Sequence, residues 1–173
     1  MRAVISVWHR AQLFSADLIV SFAIALFLAV AVFQAASSAN IAVAASERAR
    51  DLDMASEQAL ALLVQSPGNP ADWSFANARS IGLAQARNVL NPERVAYFFS
   101  QSPADYNLSL TLLGFNREGA VYDYNLEIIN ASGSTLYTLN RLPQPNTPVA
   151  SRSAVAVLNT SLVLVKMTVW VRP

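Results

Sequence analysis

The stretch 16–36, ADLIVSFAIALFLAVAVFQAA, constrains this chain more than any other. From Leu18 to Phe33 its sixteen residues are apolar except for Ser21. At about 1.5 Å of rise per residue, 16–36 reaches across the roughly 30 Å of a bilayer's hydrocarbon layer, so it reads as a transmembrane helix. Before Asp17 the chain carries Arg2, His9 and Arg10 and no acid. That bias places the N-terminus in the cytoplasm and the remaining ~140 residues outside.

The helix is not expected to end with the membrane. No Gly or Pro occurs before Pro67, and Ala, Leu, Glu, Arg and Gln dominate. A helix over 12–64 would be a rod of about 80 Å. Ala35 to Ala45 is rich in small side chains, which lets helix backbones approach closely and is equally what a good helix former looks like. Beyond Ser46 charges appear, while Leu52, Ala55, Ala59, Leu60 and Leu63 recur at helical spacing. That stripe should dock on a folded domain.

SPGNPADW, 66–73, ends the rod through Pro67, Gly68 and Pro70, with Trp73 and Phe75 expected to close over the core. Asn91-Pro92-Glu93 has the pattern of an N-cap, a first-turn proline and a first-turn acid. Ser102-Pro103-Ala104-Asp105 repeats it, with Gly114 as the stop. Tyr106, Leu108, Leu110 and Leu112 nevertheless alternate as a strand would. The caps favour a helix over 103–113.

The last third reads as β. Tyr122, Tyr124, Leu126 and Ile128 alternate with polar residues, Asn130 to Ser134 makes a hairpin loop, and the chain returns through Leu136, Tyr137 and Leu139. Pro143 to Pro148 interrupts the order. A second hairpin joins 154–158 to 162–171 through Asn159-Thr160. In its final strand Val163, Val165, Met167, Val169 and Val171 form one apolar face. On the other, Leu162, Leu164 and Trp170 either meet a neighbouring subunit or lie under 143–153.

Chemistry-bearing patterns are scarce. There is no cysteine, so no disulfide and no thiolate metal site. The one histidine, His9, lies near the start. Five scattered glycines form no phosphate loop, and paired acids, a nucleophile triad and an acidic cation loop are all missing from the sequence. A net charge of +1 gives no reason to expect nucleic acid. The expectation is a non-enzyme with no cofactor and no metal. Three sequons stand at Asn107, Asn130 and Asn159, candidate N-glycosylation sites in the exported part.

Two processing schemes fit the N-terminus. A secretory cut would use the small residues of 34–39, just past the apolar run, and remove it. The other lies before the run. Arg10-Ala11-Gln12, followed by Ser15-Ala16-Asp17 and then the apolar stretch, resembles the class III signal peptide of archaeal type IV pilins and archaellins. The resemblance implies cleavage between Ala11 and Gln12 by a prepilin peptidase, with the helix retained. Here Ser15 is three residues after Gln12, where the family pattern has two, and the acid is Asp17 where Glu is usual. The resemblance gives Asp17 a role in assembly, pairing with a neighbour's terminal amine; the alternative is an acid held at headgroup level by hydration and the helix dipole. The later motifs SPGNPADW, IGLA, VLNPERVAYFF, LLGF and YDYNLEI are similar, in order, to archaeal pilin-like proteins.

The expected division is a leader over 1–11, a long helix over 12–64 with its span near 16–36, loops and short helices over 65–114, and an antiparallel β-sheet head over 115–173. The fold class is α+β, a pilin-like lollipop. The expected function is that of a pilin or minor pilin, a structural subunit of an archaeal type IV pilus-like surface filament. Its partners would be the membrane, copies of itself or other pilins, and the prepilin peptidase. The alternative is a monomeric, membrane-anchored extracellular binding domain that never polymerises.

Overall fold

The structure is a computed structural model. It describes residues 2–117 and 120–172, with side chains described over 18–116 and 121–172. The chain divides into two compact units, 1–46 and 47–173. It is α+β, a long N-terminal helix followed by a curled mixed sheet.

The helix, α1, is Arg2–Gln65. Its C-terminal stretch belongs to the second unit and supplies one wall of that unit's core. Leu52, Ala55, Ala59, Leu60, Leu63 and Val64 are all buried, the i, i+3, i+4 stripe that the sequence carries. The helix ends where Pro67 removes a donor and Gly68 turns at φ +84°. Three of its last four carbonyls are taken up. Leu83 donates to the Leu63 oxygen at 2.8 Å, Asn88 to Val64 at 3.1 Å, and Ser66 to Leu62 at 3.2 Å.

Two short strands follow, β1 Ala84–Ala86 and β2 Val89–Leu90, then helices α2 Pro92–Phe99 and α3 Pro103–Leu112. The Asn91 carboxamide caps α2 by accepting from the Glu93 and Arg94 amides. Ser102 and Asp105 form a reciprocal capping box on α3. The capping signal outweighs the alternation of 106–112. α3 buries Tyr106, Ser109 and Leu110, a helical face that includes a serine where a strand reading would have Leu108.

The remaining strands are β3 Asn116–Arg117, β4 Ala120–Asn130, β5 Thr135–Thr138, β6 Val149–Leu158 and β7 Ser161–Val171. The sheet runs β1-β2-β6-β7-β4-β3, with β5 also against β4. From β3 onward every pairing is antiparallel; the exception in the sheet is β2, which joins β6 in parallel at Val89 and Val157. The inner face of β4 and β7, Tyr124, Leu126, Ile128, Val163, Val165, Met167 and Val169, closes on α1, α2 and α3 in one core. Trp73 and Phe75 are buried in it, and Phe75 stacks on Tyr97 at 5.4 Å.

Two expectations are corrected. β6 begins at Val149, so 149–153 is sheet and cannot fold over the outer face as a covering loop. Trp170 is only 4% exposed, so this ring is not offered to a neighbour, whereas Leu162 is 61% exposed.

Candidate assembly helix and modification sites

Helix α1 from Leu18 onward is long and apolar enough to cross a bilayer, and the apolar window is unburied. Its large side chains occur on all sides rather than on one stripe. Leu18, Phe22, Ile24, Phe27, Val30 and Phe33 are all exposed, Phe27 to 72%. A helix apolar all round needs lipid or protein about it. Each such side chain contributes about 1.5–3 kcal/mol toward leaving water, so the group together is worth on the order of 10 kcal/mol or more. Two hydroxyls of this helix are satisfied by its own carbonyls, Ser38 donating to Gln34 at 2.9 Å and Ser46 to Val43 at 2.8 Å. Arg10, Ala11, Gln12 and Asp17 lie outside the residues whose side chains are described.

The three sequons occupy different settings. Asn107 is exposed on α3, but the hydroxyl of its sequon, Ser109, is fully buried. The Ser109 hydroxyl donates to the Tyr106 carbonyl at 2.7 Å and lies 2.6 Å from the Tyr124 hydroxyl. Asn130 ends β4, and its Oδ1 accepts from Ser132 Oγ at 2.7 Å, from Ser132 N at 3.1 Å and from Ser134 N at 2.8 Å. Asn159 sits at φ +49° in the two-residue turn between β6 and β7, followed by Thr160 at φ +66°, the backbone of a primed hairpin turn.

One polar constellation escaped the sequence reading. Tyr106 of α3 donates to Asp123 Oδ1 at 2.7 Å, and Arg172, just past β7, grips the same carboxylate with Nε at 3.1 Å and an Nη at 3.0 Å. Arg141 stacks on the Tyr106 ring, its Cζ 3.6 Å from the centroid. Burial pushes the Tyr106 and Tyr124 hydroxyls well above the ordinary phenol range. Burial would raise the Asp123 carboxyl too, but hydrogen bonds from Arg172 and Tyr106 outweigh it and hold the group below its usual value. The Asp123 side chain is only 16% exposed, so the set works as a clasp joining α3, β4 and the C-terminal residues.

A second clasp is Arg94 of α2, which donates to the carbonyls of Pro67, Ala84 and Ala71 and ties the segment after α1 to α2. No sequence signal marks either clasp, because partners lie 10 to 49 residues apart. Among the described residues no three His, Cys, Asp or Glu side chains gather where they could hold a metal. A scan against protein-family models finds no match to this chain, and searches of curated proteins and of solved structures find none.

Proposed function

We propose that this chain is a structural subunit of a type IV pilus-like surface filament, an archaeal pilin or minor pilin. In this reading a prepilin peptidase cuts between Ala11 and Gln12. α1 holds the subunit in the cell membrane with the C-terminal unit outside, and the helix is then buried among copies of itself or other pilins. The supporting observation is that α1 is one helix of two characters. Over 18–33 its large side chains are exposed on every side, while over 52–64 it is a buried stripe in the core. A rod apolar all round that leaves lipid must be covered, and identical rods packed side by side supply that cover.

The absence of cysteine makes a clean test available. Single cysteines placed at small helix positions, such as Ala29→Cys, should give covalent dimers on oxidation of surface filaments, and deletion of the gene should remove those filaments. Protein that stays monomeric in mild detergent, in cells making no filament that contains it, would favour the anchored monomer.

A further inference from the structure

Leu142 is 81% exposed, more than any other large apolar side chain described, those of the apolar part of α1 included. Pro143 follows it and restricts Leu142 to extended backbone. The stretch that carries it leaves the sheet on the β4 side, where the Leu139 amide donates to the Leu126 carbonyl at 3.2 Å and the Arg141 amide to Asn125 Oδ1 at 3.4 Å. An exposed leucine is ordinary by itself. This one has a counterpart at the other edge of the same sheet.

That edge is β6. β7 pairs with it over the whole of 149–158, but on its other side β2 meets it at Val157 alone, where the Val157 amide donates to the Asn88 carbonyl at 2.8 Å. Amides two apart in a strand point the same way, so those of Ser153 and Val155 also face outward, with no strand beside them among the described residues. Open edges are usually blunted by proline, bulges or free charge. Residues 149–155 have no proline, keep unbroken register with β7, and give their one charge, Arg152, to an ion pair with Asp53 of α1. Beside this edge lies a groove of about 280 Å³ whose apolar lining is Leu60 and Ala61 of α1 and Ala154 of β6. Glu57 also lines it. Among the described residues neither Glu57 nor Arg141, the neighbour of Leu142, makes an ion pair, and their charges are opposite.

We infer that Leu142 of one copy seats in the groove between β6 and α1 of the next copy, with the extended main chain at Leu142 lying along the open β6 edge. Knob and groove belong to different edges of one unit, so the contact is heterologous. Each copy gives a leucine at one side and receives one at the other, and the series stays open. A pairing of β6 with β6 would instead close after two copies. The open kind suits the filament of the reading above, on which this inference rests. In the contact the leucine leaves water, the edge gains main-chain partners, and the charges of Arg141 and Glu57 draw the two faces together.

The test uses full-length protein in its native cells, where the chain's lack of cysteine leaves a clean background. Within one copy Leu142 and Ala61 cannot be bridged. β7 stands between β4 and β6, and two strand spacings of about 4.8 Å exceed the roughly 7 Å between Cα atoms that a disulfide tolerates. Oxidation of an L142C/A61C double variant should therefore give a ladder of covalent multimers. Cells making the two single variants together should give covalent dimers only, and either single variant alone should give none. Ser153→Cys, exposed on the same groove, should reproduce this set in place of Ala61→Cys. Dimers of L142C alone or of A61C alone would show like edges meeting and overturn the heterologous contact. Conjugates to a different protein, or no conjugates, would overturn the second copy as occupant. Ala29→Cys in the same cells separates the two readings. Filaments cross-linked through Ala29→Cys but not through the groove defeat this inference alone, and loss of both filaments and cross-links defeats the filament reading and this inference with it.

Discussion

Tyr106 donates a 2.7 Å hydrogen bond to Asp123, a carboxylate that Arg172 already holds with two bonds. The same phenol oxygen accepts from the Tyr124 amide at 3.2 Å and lies 3.0 Å from the Tyr124 carbonyl, so one side chain pins α3 to β4. Tyr106→Phe should therefore cost about 1–3 kcal/mol, because it leaves buried partners unpaired. Chemical denaturation followed by circular dichroism would measure this.

The pH dependence has a definite sign at both ends. Asp123 is held below its ordinary value, so its contribution is present above the unfolded carboxylate pKa, near about 4, and is lost as pH falls through the lower folded value. Asp123→Asn should flatten that acid limb. Tyr106 and Tyr124 are raised, so the folded state keeps them neutral; their contribution is intact below the unfolded phenol pKa of about 10 and drains away above it. Tyrosinate absorbance from these two rings should appear only with unfolding.

Gly82 is a packing glycine. A Cβ there would lie 2.1 Å from the Ser66 carbonyl oxygen and 2.6 Å from the Gly68 amide, both backbone atoms. Gly82→Ala should cost about 3 kcal/mol, as overpacking against backbone does. Gly133 has nothing within 4 Å of such a Cβ but sits at φ +84°. Gly133→Ala should cost about 1–2 kcal/mol, the penalty for a left-handed L-residue. Melting of the two variants side by side would show the difference.

In the apolar part of α1 a single charge should matter more than any change of shape. Phe27→Arg should penalise insertion by about 2.5–3.5 kcal/mol and move protein out of the carbonate-resistant membrane fraction. Glu57→Arg, an exposed site on the amphipathic part, should leave that fraction unchanged.

Legibility in the sequence followed the range of the interactions. The stripe from Leu52 to Leu63, both helix caps and the turn at Asn159-Thr160 are set by residues within a few positions of each other, and they stand in the structure as read. The parallel pairing of β2 with β6 joins residues 68 apart through one register point, Val89 with Val157, and periodicity carries no trace of it. Trp170 shows the same limit. Its alternation places it correctly on the outer face, but burial there depends on what surrounds that end of the sheet. Tyr106, Asp123 and Arg172 each look like ordinary residues in their own segments, and only the fold joins them. The processing residues Arg10, Ala11 and Gln12, and Asp17, rest on the sequence resemblance.

If cleavage falls where the resemblance puts it, a bulky side chain at the cut should block it. Ala11→Trp should leave uncut precursor in the membrane, heavier by the mass of the first eleven residues, and the intact mass of the membrane fraction would show it.

The most direct measurement is the N-terminal sequence of native protein recovered from the cell surface. Chains beginning at Gln12, with the apolar helix retained and available to pack among copies, are the expected result. Chains beginning near Ser37, with the helix removed, would contradict the account.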